Sequence, residues 1–156
     1  MKIKDLEKKT EKIKISVHVK NKKYMEKEVS IYTDHTTNLR NIAEILTSCD
    51  IPQKERDRVN KEFNNTIKEI HADVKKFFKN IGVSYTNIQE ATEILAHLDI
   101  SDKADLWDIY SLLCFCIRDI KQNEWTMRNI LQLADETEAL AKFINGLYLK
   151  SLKGFK

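Results

Sequence analysis

One amphipathic pattern dominates the chain, between residues 53 and 81. Its large apolar residues recur every three or four positions, which places them in one helical stripe about 100° wide. Pro52 precedes the pattern and Gly82 follows it, as is typical of helix ends. The stripe consists of Val59, Phe63, Ile67, Ile70, Val74, Phe77, Phe78 and Ile81. The pattern therefore predicts one long helix of about 29 residues, about 43 Å from end to end.

The N-terminal segment shows a different period, because apolar and polar residues alternate. The alternating apolar residues are Ile13, Ile15, Val17 and Val19. Strict alternation is typical of a half-buried strand. A weaker alternation occupies residues 25–33, and a three-residue loop at 21–23 pairs the apolar residues of the two segments. We therefore expect a β-hairpin over residues 12–33. Two strands alone are marginally stable in water, so it must pack on the helices or on another chain.

Four more segments have helical spacing. They lie at about 37–48, 86–98 and 103–121, and from residue 123 onward. The segment at 103–121 is apolar on almost every side, so we expect it to form the centre of the core. Gly146 is expected to weaken or end the last helix. The sequence thus predicts a mainly α-helical single domain over residues 1–156. It combines the hairpin with a bundle of about five helices over residues 37–152.

Composition fits this fold, and the charge distribution adds a further feature. Hydrophobic residues make up 42% of the chain and charged residues 33%, with three Gly and one Pro, which suits a helical protein with solvated outer faces. The net charge of +3 conceals an asymmetry. Residues 1–23 have nine Lys and three acids (+6), whereas residues 84–149 have five basic and eleven acidic residues (−6). This polarity favours internal charge matching, head-to-tail association, or a partner for the basic end.

The same features predict a cytoplasmic protein that does not enter a membrane. The longest apolar run, residues 112–117, is far shorter than the roughly 20 residues that span a bilayer, and no secretory signal is visible. Three Cys form no disulfide framework, so we expect reduced, buried thiols. Lys outnumbers Arg by 22 to 5, a bias common in AT-rich genomes, which favours a bacterial or phage origin.

Residues that carry chemistry are sparse. Gly82, Gly146 and Gly154 are isolated, so no glycine-rich phosphate-binding loop is present. Cys114 and Cys116 lie two positions apart on a predicted helix and point about 200° away from each other, so they cannot bind one metal ion. The four His are scattered along the chain. We therefore expect no catalytic residues, no metal and no cofactor.

The long helix carries the one candidate binding feature, a row of Lys opposite the apolar stripe. We call it the Lys row, and it consists of Lys54, Lys61, Lys68, Lys75 and Lys79. Four of its members recur every seven residues, or about every 10.5 Å, which suits contact with a phosphate backbone. Glu55, Glu62 and Glu69 form a parallel acidic row. A solvated, charge-balanced face is therefore the competing interpretation.

Two functions follow as hypotheses. The first is a non-catalytic protein that binds another protein, as an adaptor, assembly factor or inhibitor. It rests on the missing catalytic motifs, the polarised charge and a hairpin edge open to a further strand. The seven-residue repeat of the long helix also fits a dimer seam, with intramolecular packing as the alternative. The second function is nucleic-acid binding through the Lys-rich residues 1–23 or the Lys row.

Overall fold

The computed structural model describes residues 2–20, 22–48, 50–117 and 127–154, and these contain six α-helices. They are α1 (Ile3–Val19), α2 (Lys22–Thr47), α3 (Gln53–Asn80), α4 (Ile88–His97), α5 (Lys103–Ile117) and α6 (Met127–Leu152). The helices form a bundle. α2 and α6 pack along each other most extensively, α3 packs on α2, and α5 packs on both α4 and α6. α1 covers α4 and part of α6.

The predicted β-hairpin over residues 12–33 is wrong. The described part of this stretch is helical, and no described residue lies in a strand. Ile13 and Val17 are buried, whereas Ile15 between them is 58% exposed. Apolar residues at every second position include pairs that are four apart, so the alternation satisfies a helical face as well. Together with the partly buried Leu6 and the buried Thr10, these two residues follow a helical spacing of four, three and four.

The predicted long helix is present as α3. Pro52 flanks its first turn, and Gly82 follows its end with φ of +77°, a left-handed conformation that Gly adopts without strain. The backbone N–H of Val83 donates to the carbonyl of Phe78 at 2.9 Å and closes the helix end. All eight residues of the apolar stripe are buried. The chain therefore covers this stripe itself, and the stripe is not a free dimer seam.

Side-chain caps define the N-terminal ends of α4 and α5. The side-chain oxygen of Asn87 accepts from the backbone N–H of Glu90 at 3.1 Å and caps α4. Asp102 caps α5 in the same way, because its carboxylate accepts from the N–H of Asp105 at 2.8 Å. These caps shape the connections on both sides of α4, and so position α5 against α6.

Within the described residues α2 and α6 share the most extensive contact, and α5, the described part of the segment 103–121, is exposed on one side instead of being buried on almost every side. Tyr32 and Leu39 of α2 are fully buried, and so are Leu140 and Phe143 of α6. In α5, by contrast, Trp107 is 68% exposed. The apolar residues of α5 are divided between an inward and an outward face, a division that composition alone does not reveal. The predicted helix start at residue 123 lies outside the described residues.

Gly146 lies inside α6 and does not end it. A Cβ atom at this position would stand 2.5 Å from Cγ2 of Ile100, in the connection between α4 and α5. Nearby, the Lys150 ammonium donates to the carbonyl of Leu98 at 2.8 Å. Glycine therefore allows α6 to approach this connection closely.

We expect Gly146→Ala to lower the free energy of unfolding by up to about 2 kcal/mol. The new methyl group overpacks the contact with Ile100, which costs about 1–3 kcal/mol. The better helix propensity of Ala offsets about 1 kcal/mol of this cost. Urea unfolding measures the change. In an Ile100→Ala background the obstructing methyl group is gone, so Gly146→Ala should become neutral or stabilising. Equal destabilisation in both backgrounds would contradict this explanation.

Candidate functional site

α5 carries an exposed apolar face that the sequence analysis missed. Its inward face is formed by Ile109, Leu112, Leu113, Phe115 and Cys116, all buried. Its outward face, here called the α5 outer face, consists of Trp107, Tyr110, Cys114 and Ile117, spaced by three, four and three residues. This spacing aligns them along one side of the helix. The uniform hydrophobicity of α5 therefore reflects two separate surfaces.

Two aromatic rings organise the α5 outer face. Trp107 and Tyr110 stack with their ring centroids 5.7 Å apart and their planes 21° from parallel. Ile117, 46% exposed, lies at the other end of the row, about 15 Å along the helix from Trp107. Trp and Tyr are the residues most enriched at the energetic centres of protein interfaces. This face is therefore suited to binding an apolar surface.

An acidic cluster lies between α5 and α6. Burial raises the pKa of Asp108, and the neighbouring Asp135 and Asp105 raise it further. Burial also raises the pKa of Glu136 to about 7, and Asp108 and Asp135 act in the same direction, opposed by a hydrogen bond from Gln132. Asp105, Asp108 and Asp135 are the members of this cluster that reach the surface, whereas Glu136 is buried.

One cation from α2 balances part of the charge on α6. Arg40 binds Asp135 at 3.3 Å and Glu138 at 2.8 Å. Lys142 also approaches Glu138, at 3.5 Å. These contacts lie on exposed side chains, so they orient the two helices more than they stabilise them.

The structure places all five residues of the Lys row on the exposed side of α3. Within the described residues, none of their ammonium groups forms an ion pair. The parallel acidic row is not matched to them, because Arg58 engages two of its members. Arg58 Nε donates to Glu55 at 3.2 Å, and its Nη1 donates to Glu62 at 3.3 Å. The ion pairs found on this face therefore join Glu to Arg58 and not to the Lys row.

The C-terminal end of the Lys row opens into a pocket of about 590 Å³. It is lined by Lys75, Lys76, Lys79, Gly82, Val83, Ser84 and Tyr85. Tyr85 is partly buried and packs against the core. The Ser84 and Thr86 hydroxyls lie 2.8 Å apart and hold this turn together. The pocket combines three cations with a hydroxyl and an aromatic ring. The turn after α3 brings these groups together, so helical periodicity did not indicate the pocket.

The Lys-rich N-terminus faces acids of the same chain. Lys9 of α1 forms an ion pair with Glu90 of α4. A groove of about 460 Å³ between these helices is lined by Asp5, Lys8, Lys9, Lys12, Asn87, Gln89, Glu90 and Glu93. This arrangement matches the expected internal charge pairing. It makes α1 a weaker candidate than α3 for binding an anionic partner.

A partly buried polar pair joins α2 to α3. His35 Nε2 lies 2.8 Å from Asp73 Oδ2. Within the described residues, Nδ1 of His35 and the hydroxyl of Tyr32 have no hydrogen-bond partner. His35 is almost fully buried and lies beside the Tyr32 ring, so no substrate reaches it from solvent in this structure. The pair positions the two helices. Its members are 38 residues apart, so sequence spacing gives no signal for it.

The remaining His and Cys residues near α5 are partly or fully buried. The His71 ring is half-buried, with its centroid 4.7 Å from that of Phe115. Burial lowers the pKa of His71, and the charge of Lys75 lowers it further. Cys116 is buried, as expected, and burial raises the pKa of its thiol to about 12. Cys114 is only partly buried, and Cys49 lies outside the described residues.

Metal binding, membrane spans and similarity to known proteins were each tested. Among the described residues, no three or more His, Cys, Asp or Glu side chains are grouped so that they could bind a metal ion. None of the helices in the described ranges has the length and hydropathy needed to cross a membrane. Comparisons of the chain with protein-family models, curated proteins and solved structures found no match.

Proposed function

We propose that this protein is a non-catalytic cytoplasmic module that binds another protein, as an adaptor, assembly factor or inhibitor, and that the partner packs a helix on the α5 outer face. One observation carries this proposal: Trp107 is 68% exposed, and its ring stacks on that of Tyr110. Contiguous exposed apolar groups of this kind mark interaction sites. The strand-accepting hairpin edge no longer supports protein binding, because the N-terminal segment is helical.

A helix is the partner element that fits this face. The spacing of three, four and three residues is that of a helix–helix seam, in which side chains of one helix enter gaps of the other. The stacked rings of Trp107 and Tyr110 supply the apolar anchor. The sequence from residue 84 to residue 149, to which α5 belongs, has a net charge of −6. A partner helix with an apolar stripe flanked by Lys or Arg therefore complements this surface.

We expect Trp107→Ser to weaken partner binding by about 30-fold or more, since loss of a central aromatic anchor costs at least about 2 kcal/mol. The wild-type protein is used as bait in an extract of the native host, and the proteins that it retains identify the partner. Calorimetry with the purified partner gives the affinity. Leu152→Ser, at an exposed apolar position near the end of α6, is the matched control and should bind like the wild type. Equal affinities for all three proteins would rule out the α5 outer face as the binding site.

Light scattering distinguishes a partner from a second copy of the chain. A monomer whose size does not change on Trp107→Ser is expected. A dimer that becomes a monomer in this variant would show that the packed helix comes from another copy, and self-association would replace the adaptor role. Urea unfolding of the variant checks that the exposed substitution leaves the fold intact.

A further inference from the structure

We propose that α3 has a separate function: the Lys row and the pocket at its C-terminal end bind a single-stranded nucleic acid. The site lies on a different helix from the α5 outer face and does not depend on it. Phosphates of the strand contact the Lys row, and one base stacks on Tyr85.

The cations of α3 are available for such a ligand. Of the five carboxylates on α3, four are engaged by the chain itself. Arg58 binds Glu55 and Glu62, Gln53 donates to Asp57 at 2.8 Å, and His35 lies 2.8 Å from Asp73. In the described part of the chain only Glu69 makes no such contact. The Lys side chains have no ion-pair partner there, and α3 has eight Lys or Arg against five Asp or Glu, so the helix carries an excess of positive charge.

The geometry of the row favours a single strand over a duplex. Lys54 and Lys79 are 25 positions apart, which corresponds to about 37 Å along one straight helix. A strand of duplex DNA winds once around its axis in about 34–36 Å, so it leaves a straight row after a short contact. A flexible single strand can follow the row over its whole length. Each Lys can then meet a phosphate and release a counterion.

The pocket supplies what a plain Lys row lacks. Lys75, Lys76 and Lys79 line it beside Tyr85, whose ring offers a stacking surface to any base. The Ser84 hydroxyl can donate to a phosphate oxygen. Cations beside an aromatic ring are the usual combination at sequence-tolerant single-strand sites. The pocket therefore indicates a polynucleotide in preference to an acidic protein, which has no base to stack.

The first test compares two variants of equal charge. In the first variant Lys54, Lys61, Lys68 and Lys75 are changed to Ala. The second changes four exposed Lys elsewhere, namely Lys2, Lys4, Lys12 and Lys23. Binding is measured by fluorescence anisotropy with labelled, unstructured RNA and DNA strands of about 20 nucleotides. This length exceeds the about 4–16 nucleotides that a typical single-strand site covers.

We expect the first variant to bind at least tenfold more weakly at about 50 mM salt. Its slope of log affinity against log salt should be smaller by about 3, because each single-strand phosphate contact contributes about 0.7. The second variant should keep most of the wild-type affinity. Equal weakening in both variants, or no binding by the wild type at this salt concentration, overturns the proposal.

The second test addresses the pocket. Tyr85→Ala should weaken binding about 5- to 150-fold, the range expected for the loss of one stacked base, and Tyr85→Phe should retain it. With an abasic strand of the same length, Tyr85→Ala should have no effect. An equal loss with the abasic strand would show that Tyr85 does not stack on a base. Thermal unfolding of both variants identifies any loss caused by a disturbed core.

Two competitors decide the ligand class. A duplex of the same length should compete more weakly than the single strand, and a polyglutamate peptide of equal charge should compete more weakly still. A duplex that competes as well as the single strand overturns the preference for single strands. If polyglutamate competes as strongly as the single strand, the Lys row binds acidic protein instead. Comparison of the RNA and DNA strands shows which sugar the site accepts.

Discussion

Replacing Phe77 by Ala is expected to lower the free energy of unfolding by about 3–5 kcal/mol, the cost of removing a fully buried aromatic ring. Phe77 has no exposed surface. Its ring lies edge to face with Tyr32 of α2 at 6.4 Å and with Phe78 at 5.5 Å between centroids. The cavity would open at the joint between α2 and α3, where rigid helices limit its collapse.

Urea unfolding at two protein concentrations tests both this loss and the assignment of the α3 stripe to the inside of one chain. We expect the unfolding midpoint to be independent of concentration. A midpoint that rises with concentration would show that copies associate, and the stripe would lie between them only if Phe77→Ala abolished this dependence. Phe77→Leu, which fills most of the space, is the matched control and should cost less. A loss below about 1 kcal/mol for Phe77→Ala would contradict the observed packing.

Glu136→Gln is expected to stabilise the protein at pH 8 by about 3 kcal/mol and to have little effect at pH 4. Glu136 is buried, and this burial raises its pKa from 4.5 to about 7. A raised folded pKa means that the folded state favours the protonated form. The contribution of Glu136 to stability is therefore most favourable below about pH 4.5 and falls as the pH rises through 7. The loss is about 1.4 kcal/mol for each pH unit that separates the unfolded and folded pKa values. Gln removes this penalty because it remains neutral.

The neighbouring Glu138 provides a control of opposite sign. Its hydrogen bond from Arg40 lowers the pKa of Glu138, so the ionised form stabilises the fold. Glu138→Gln should therefore be destabilising above the unfolded pKa, and its effect should vanish in acid. Chemical unfolding of both variants and the wild type between about pH 4 and 8 measures the differences. Parallel pH profiles for Glu136→Gln and the wild type would contradict a raised pKa.

Periodicity predicted the helices that bury one stripe. α3 has a long apolar repeat, a Pro before it and a Gly after it, and each of these features acts within a few residues of chain. The Lys row could be identified for the same reason, because positions seven apart share a helical face. Two features distinguish this row from a charge-balanced surface. They are the contacts of Arg58 with the neighbouring Glu side chains and the pocket around Tyr85. The Arg58 contacts have the three- and four-residue spacing of helical ion pairs, whereas the pocket does not follow from spacing.

The N-terminal segment shows where periodicity fails. Ile13, Ile15 and Val17 are β-branched and alternate with polar residues, so local propensity and pattern both favour a strand. Contacts with α4 and α6 select a helix instead, because a helix brings the buried Thr10 to the same face as Ile13 and Val17, whereas a strand would place it on the opposite face. Tertiary packing overrides propensity here.

The sequence by itself determined that the protein is helical, that α3 is long, and that the Lys row faces away from the core, because these properties depend on the repeat of one helix. Only the tertiary structure decided which apolar faces are covered. It left Trp107 exposed, paired His35 with Asp73 across 38 positions, and placed Ile100 against Gly146. The physical reason is that burial and pairing depend on which helices pack together, and the residue pattern of one helix does not specify its neighbours.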